Sequence, residues 1–124
     1  MEKTTATRVF ESLSSGIRLD VYRLLMKEGA QGLVAGQIAA ALDLPSTNLS
    51  FHLKAMTQAG LVTVQQEGRF QRYRADLPLM RELIEYLTSE CCGGHPQLCA
   101  VMPAKARAGR GPGSVASRKQ RVTQ

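Results

Sequence analysis

The chain has 124 residues, a formal net charge of +6 at pH 7 and no tryptophan. This length predicts one domain with a small core, and such domains often dimerise to bury more apolar surface. No apolar run is long enough to span a bilayer, and residues 1–8 lack the apolar stretch of a secretory signal. We therefore expect a cytosolic protein whose thiols stay reduced.

The positive charge is concentrated at the C-terminal end. Basic and acidic side chains balance over residues 1–102, whereas residues 103–124 carry six basic side chains and no acidic one. The latter segment is also rich in Gly, Pro, Ala and Ser, a composition typical of disorder. It either adds sequence-independent attraction to phosphate or is a dispensable solubilising tail.

Apolar residues at helical spacing predict three helices in the first third of the chain, over residues 7–13, 17–27 and 33–42. Ser14 or Ser15 is expected to cap the second of these helices. The glycine-containing segment 28–32 is predicted to be a loop.

The segment from Asp43 to Gly60 predicts a tight turn followed by a capped helix. Asp43 and Pro45 favour the turn, and Ser46 is the predicted N-cap, whose side-chain oxygen would accept a hydrogen bond from the first helical turn. Gly60 is predicted to end the helix, because glycine tolerates the positive φ needed there.

This predicted helix has one apolar stripe, formed by Leu49, Leu53 and Met56. Short polar and cationic side chains near the start of a helix that follows a tight turn suit the second helix of a helix-turn-helix, which reads DNA. An ordinary amphipathic surface helix is the alternative. The candidate DNA-contacting residues of this helix are Ser46, Thr47, Asn48, Ser50, His52 and Lys54.

Residues 61–75 alternate between apolar and polar side chains on either side of Glu67-Gly68, which predicts a β-hairpin. Arg69 and Arg72 add two further candidate DNA contacts, and with Arg74 they make the local charge positive. Helices followed by a basic hairpin are the order of a winged helix. The predicted fold is therefore a mainly α winged helix-turn-helix with five helices and two strands.

A last helix is predicted from Asp76, its cap, to about Glu90. Its apolar stripe has no later element to cover it, which favours a homodimer; packing onto the chain's own core is the alternative. The predicted interface residues are Val9, Phe10, Leu13, Met80, Leu83 and Leu87.

The chain resembles the ArsR/SmtB family of metal- and metalloid-responsive winged-helix repressors. The resemblance covers roughly residues 6–87 and is most specific in Ser50-Phe-His-Leu-Lys54 and Ala59-Gly-Leu-Val62. It implies a homodimer that binds an inverted-repeat DNA operator and is released by an inducer. Arsenic-responsive members often carry Cys-Val-Cys before the reading helix. Here the matching segment, residues 34–36, is Val-Ala-Gly, so that inducer site is absent.

All three cysteines lie within nine residues, at Cys91, Cys92 and Cys99. Gly93-Gly94 is expected to end the last helix, and Pro96 to turn the chain back, so that the three thiols converge. Three thiolates suit a soft three-coordinate ion such as trivalent arsenic or antimony. The assignment to arsenite also depends on the family resemblance, within which the chain is similar to members with thiols after the last helix.

Other uses of this cluster stay open. With His95 as a fourth ligand, the set suits tetrahedral zinc or cadmium. A trivalent organoarsenical needs only two thiols, and a disulfide to Cys99 would make a redox sensor. An enzyme is not expected, because no cysteine is followed by a five-residue loop and an arginine, as a cysteine-dependent arsenate reductase would require.

These predictions divide the chain into three parts. Residues 1–92 are expected to bind DNA and dimerise, residues 93–102 to form a cysteine-containing inducer loop, and residues 103–124 to form the basic tail. The inducer would change the pose of two reading helices spaced about 34 Å apart, one turn of DNA.

Overall fold

The structure is a computed structural model, and it describes residues 1–94. The predictions for His95, Pro96, Cys99 and the basic tail lie outside the described residues. The helices are α1 (Lys3–Leu13), α2 (Gly16–Glu28), α3 (Ala35–Leu42), α4 (Ser46–Gln58), α5 (Leu77–Thr88) and the short α6 (Cys91–Gly94). The strands are β1 (Leu33–Val34), β2 (Val62–Glu67) and β3 (Phe70–Ala75), and a 3₁₀ turn spans Gly29–Gln31.

The predicted winged helix-turn-helix is confirmed, with two additions to the predicted five helices and two strands: β1 and α6. Leu33 and Val34 were expected at the start of α3. They instead pair with Tyr73 and Arg72 of β3 and extend the hairpin to a three-stranded sheet. The helix starts later, at Ala35, because Leu33 and Val34 satisfy backbone groups in the sheet before the chain turns.

The hairpin is antiparallel, and its register pairs Val64 with Tyr73 and Glu67 with Phe70. The tip is therefore Gly68-Arg69, one residue later than the predicted Glu67-Gly68. Gly68 has a φ of 62°, a conformation that glycine adopts without a Cβ penalty.

The turn between α3 and α4 follows the prediction. Asp43 adopts the left-handed conformation at φ 53°, and its backbone N–H bonds to the Ala39 carbonyl. Pro45 then leads directly into α4. At the other end, Gly60 has a φ of 85°, as expected for a residue that ends a helix.

The core lies between the helices and the sheet. Its largest fully enclosed side chains come from the first four helices and from the residue before β2, and are Val9, Val21, Leu25, Ile38, Leu49, Leu53, Met56 and Leu61. Ser15 caps α2 by accepting a hydrogen bond from the Arg18 N–H, and Asp76 caps α5 by accepting one from the Leu79 N–H at 3.0 Å.

The chain divides into two compact units, Met1–Ile84 and Glu85–Gln124. The first contains the core and the sheet; of the second, residues 85–94 are described. Among the described residues, no helix is both long enough and apolar enough to cross a membrane.

Gly32 offers a direct test of the β1 pairing. Gly32 and Gly29 both have positive φ, 62° and 65°, so alanine is strained at either position. Only at Gly32 would the added Cβ overlap the Tyr73 carbonyl oxygen; at Gly29 it meets open space. Gly32→Ala should therefore lower the free energy of unfolding by at least about 1 kcal/mol more than Gly29→Ala, measured by urea denaturation. Equal losses would contradict the close approach to β3.

Candidate nucleic-acid interface and thiol site

The orientation of α4 is set by its apolar stripe. Leu49, Leu53 and Met56 are each at most 1% exposed, so this face of the helix is fixed against the core. The other side of the helix is turned to solvent. Of the candidate DNA-contacting residues, those exposed on α4 are Ser46, Thr47, Asn48, Ser50 and Lys54, and His52 is half-buried.

The prediction that Ser46 is the N-cap of α4 is wrong. Pro45 occupies that position, with φ −60° and ψ 142°, and Ser46 is the first helical residue. Pro45 has no side-chain acceptor, and the first helical bond joins the Leu49 N–H to the Pro45 carbonyl. Within the described residues, the N–H groups of the first turn therefore keep no capping partner, and such groups bind phosphate oxygens well.

His52 is held by a residue that the sequence analysis did not single out. Arg18 of α2 donates from Nε to His52 Nδ1 at 3.0 Å. The same guanidinium lies 5.7 Å from the ring centre of Phe51, whose side chain is 65% exposed. The two residues of the hydrogen bond are 34 positions apart, so no local pattern in the sequence indicates this contact.

Burial and the Arg18 charge together hold the pKa of His52 below its usual value of 6.5. Both effects oppose protonation: burial penalises the cation, and the guanidinium repels it. Since the unfolded chain keeps the ordinary pKa, this histidine supports folding fully above pH 6.5. That support is lost as the pH falls through the lower, folded pKa.

The arginines of the hairpin differ in how strongly their own chain engages them. Arg72 donates from Nε to both Glu67 carboxylate oxygens, at 3.1 and 3.0 Å, and from a terminal nitrogen to the Gln31 carbonyl. Arg74 binds the Ala30 carbonyl and Gln65. Arg69 is exposed at the hairpin tip. Arg72 therefore braces the hairpin against the 3₁₀ turn, and Arg69 is the better placed of the two predicted hairpin contacts for phosphate.

The predicted dimer residues fall into three groups that differ in how far their own chain covers them. Val9 and Leu83 are only 0% and 3% exposed, so their own chain already encloses them. Leu13 and Met80 are half-buried against the core. Phe10 and Leu87 are 47% and 57% exposed and are thus available to a partner. An apolar stripe in the sequence includes all three groups alike, because core and interface use the same residue types.

The first two thiols are close together. Cys92 and Gly93 interrupt the short α6 with positive φ values of 56° and 66°. With the backbone turned at Cys92, the sulfur atoms of Cys91 and Cys92 lie 3.6 Å apart, although consecutive positions of a regular helix would diverge. Within residues 1–94 no group of three or more His, Cys, Asp or Glu side chains is placed to hold a metal. The remaining predicted ligands, His95 and Cys99, lie outside the described residues.

Arg18 should control the titration of His52. In Arg18→Gln the pKa of His52 should rise towards 6.5 without fully recovering, because the burial remains. The measurement is a proton NMR titration, with the His52 signal assigned from His52→Gln. His95, the only other histidine, serves as an internal reference. An unchanged His52 titration in the variant would contradict the contact.

A family model described as a helix-turn-helix domain matches residues 13–65. Among solved structures, an ArsR-like transcriptional regulator from Rhodococcus sp. RHA1 is 27% identical with a TM-score of 0.61, covering 68% of this chain and 76% of that one. HlyU from Vibrio cholerae N16961 is 26% identical with a TM-score of 0.58, covering 74% of this chain and 99% of that one.

A third solved structure reaches 30% identity. It is a homodimeric winged helix-turn-helix DNA-binding domain from Mycobacterium bovis, described as a possible ArsR-family transcriptional regulator, with a TM-score of 0.56 and coverage of 72% of this chain and 82% of that one. No curated protein sequence matches the chain.

Proposed function

This chain belongs to the ArsR family of DNA-binding transcriptional regulators, and we propose that it is a cytosolic repressor. In this proposal it binds an inverted-repeat operator as a homodimer and is released by trivalent arsenic or antimony. The single observation that carries the DNA-binding part is the outward polar face of α4, fixed by its buried apolar stripe. The family is one of regulators rather than of enzymes, and we propose no catalytic step.

In the proposed complex, α4 is the recognition helix and lies in the major groove. The uncapped first turn would bind a phosphate through its backbone N–H groups, and Thr47 and Asn48 would reach the base edges beside it. The hairpin serves as the wing, and Arg69 at its tip would hold the flanking DNA backbone.

Arg69→Ala should weaken DNA binding without changing the preferred sequence. Loss of one phosphate contact should lower the slope of log affinity against log salt by about 1. Arg23→Ala is the matched control: Arg23 is also exposed, but it lies about 140° around α2 from Arg18, the residue that contacts α4. Fluorescence anisotropy at several salt concentrations measures both variants, and equal slopes would contradict the role of the wing.

The homodimer is supported by two exposed apolar side chains. Phe10 lies on α1 and is 47% exposed, and Leu87 lies on α5 and is 57% exposed. The related domain from Mycobacterium bovis is homodimeric. We infer that a second copy of this chain covers these residues.

Leu87→Glu should shift the protein from dimer to monomer, because a charge would have to be buried in the interface. Sedimentation equilibrium should then give half the wild-type mass. Leu19→Glu is the matched control, since Leu19 is 44% exposed on α2 outside the predicted interface. A Leu87→Glu protein that stays dimeric would remove α5 from the interface.

The inducer site is proposed at Cys91, Cys92 and Cys99. Two of these thiols already lie 3.6 Å apart, and soft thiolate ligands favour soft ions. Cys91 follows the last residue of α5 by three positions, so ligand capture would act on the end of the helix that carries Met80 and Leu87. A coupling of roughly 1–3 kcal/mol between ligand and DNA is typical of such systems.

Arsenite should release the wild-type protein from DNA in a gel shift, and each of Cys91→Ser, Cys92→Ser and Cys99→Ser should stay bound. His95→Gln is the control that separates ligand classes. The variant should respond normally to arsenite if the site consists of three thiolates. If the site instead holds zinc or cadmium in tetrahedral coordination, the variant should lose its response to those metals. Release of Cys99→Ser at wild-type arsenite concentration would exclude the three-thiol site and leave a two-thiol site for an organoarsenical.

A thiol-redox regulator is the second candidate, and the short distance between the Cys91 and Cys92 sulfur atoms is the observation that favours it. Oxidation would join two thiols, or one of them with Cys99, and release DNA without any metalloid. Release by peroxide, reversal by a dithiol reductant, and no response to arsenite would support this candidate over the first.

A further inference from the structure

Arg18 belongs to α2, yet its side chain restrains two consecutive residues of α4. Its Nε donates to His52 Nδ1 at 3.0 Å, and its guanidinium carbon lies 5.7 Å from the Phe51 ring centre. The rings of Phe51 and His52 also meet edge to face, with their centres 5.5 Å apart. One arginine therefore fixes the orientation of an aromatic pair in the middle of the helix.

The hydrogen bond from Arg18 decides which nitrogen of His52 carries the proton. Arg18 can only donate, so Nδ1 must accept, and the neutral ring then has its proton on Nε2. Nε2 has no hydrogen-bond partner among the described residues and is not enclosed by the protein. His52 thus presents one N–H donor, on the edge of the ring opposite Arg18.

Burial and the Arg18 charge both favour the neutral form of the His52 ring. The neighbouring helix α1 contributes Arg8 and Glu11 to a shallow cavity of about 350 Å³ that Arg18 also lines, and α4 itself contributes Lys54. Glu11 is the one acidic side chain that lines this cavity, and within the described residues no carboxylate forms a hydrogen bond with His52 that would favour a protonated ring.

We propose that Arg18 is a positioning residue for DNA recognition, which holds His52 so that Nε2–H donates to one base in the major groove. The acceptors available there are purine N7, guanine O6 and thymine O4, whereas cytosine offers only a donor. Arg18 would thereby determine sequence preference from outside the recognition helix. The inference rests on the proposed function, since it requires α4 to lie in the groove.

The test is selection of binding sites from a random-sequence DNA duplex pool by the full-length wild type, His52→Ala and Arg18→Ala. Comparison of the first two identifies the base position that His52 reads. Arg18→Ala should lose preference at that same position, by roughly tenfold, and keep its preference elsewhere. The double variant Arg18→Ala/His52→Ala should match His52→Ala alone, because the arginine acts through the histidine.

Several results would overturn the proposal. One is a uniform loss of affinity of Arg18→Ala for all sequences with a smaller salt slope, which marks a direct phosphate contact by Arg18. Others are additive effects in the double variant and an altered preference of Arg18→Ala at other base positions. Should Arg18→Ala fail to fold, Arg18→Gln takes its place in the same selection. In either variant the ¹⁵N resonance of His52 Nδ1 should change, which a purely structural role on α2 would not cause.

The selection also separates this proposal from the function on which it rests. If the wild type enriches no sequence at all, the proposed operator binding fails and the positioning role falls with it. If the wild type enriches a sequence and Arg18→Ala leaves the His52 position unchanged, only the positioning role falls.

Discussion

Burial of the apolar stripe of α4 is the constraint on which the rest of the molecule depends. Leu49, Leu53 and Met56 are almost completely enclosed, and burying a side chain of this size contributes about 1.5–3 kcal/mol. With three such anchors along two turns, the helix cannot rotate about its axis without exposing them. Its polar face is therefore held outward with little freedom, which is what a surface that reads DNA by hydrogen-bond geometry requires.

Contacts made from other elements refine this surface. Arg72 of β3 braces the hairpin against the 3₁₀ turn by joining Glu67 to the Gln31 carbonyl, while Arg69 is exposed at the hairpin tip. On the other side, Arg18 reaches from α2 to His52. Arg18 and Arg72 are thus engaged by groups of their own chain, whereas Arg69 is exposed. The division follows from which carbonyl, carboxylate or imidazole groups lie within reach.

The Cys91–Cys92 pair shows that backbone conformation decides the distance between two side chains that are adjacent in the sequence. Consecutive cysteines in a regular helix point in different directions, and the glycines that follow were expected to bring them together. The positive φ lies at Cys92 itself, so that its side chain leaves the regular helical direction, and the sulfur atoms come within 3.6 Å. Glycine adopts this conformation readily, whereas for Cys92 it is an uncommon one.

The sequence by itself determined the fold class, the buried stripe of α4, the Asp43–Pro45 turn, the hairpin and the Asp76 cap. Each of these depends on neighbours within a few positions, where hydrophobic period and turn chemistry act directly. It did not determine the pairing of Leu33 and Val34 with β3 or the contact between Arg18 and His52. Nor did it separate the enclosed Val9 and Leu83 from the exposed Phe10 and Leu87. These features depend on residues far apart in the chain, and only the tertiary structure brings their partners together.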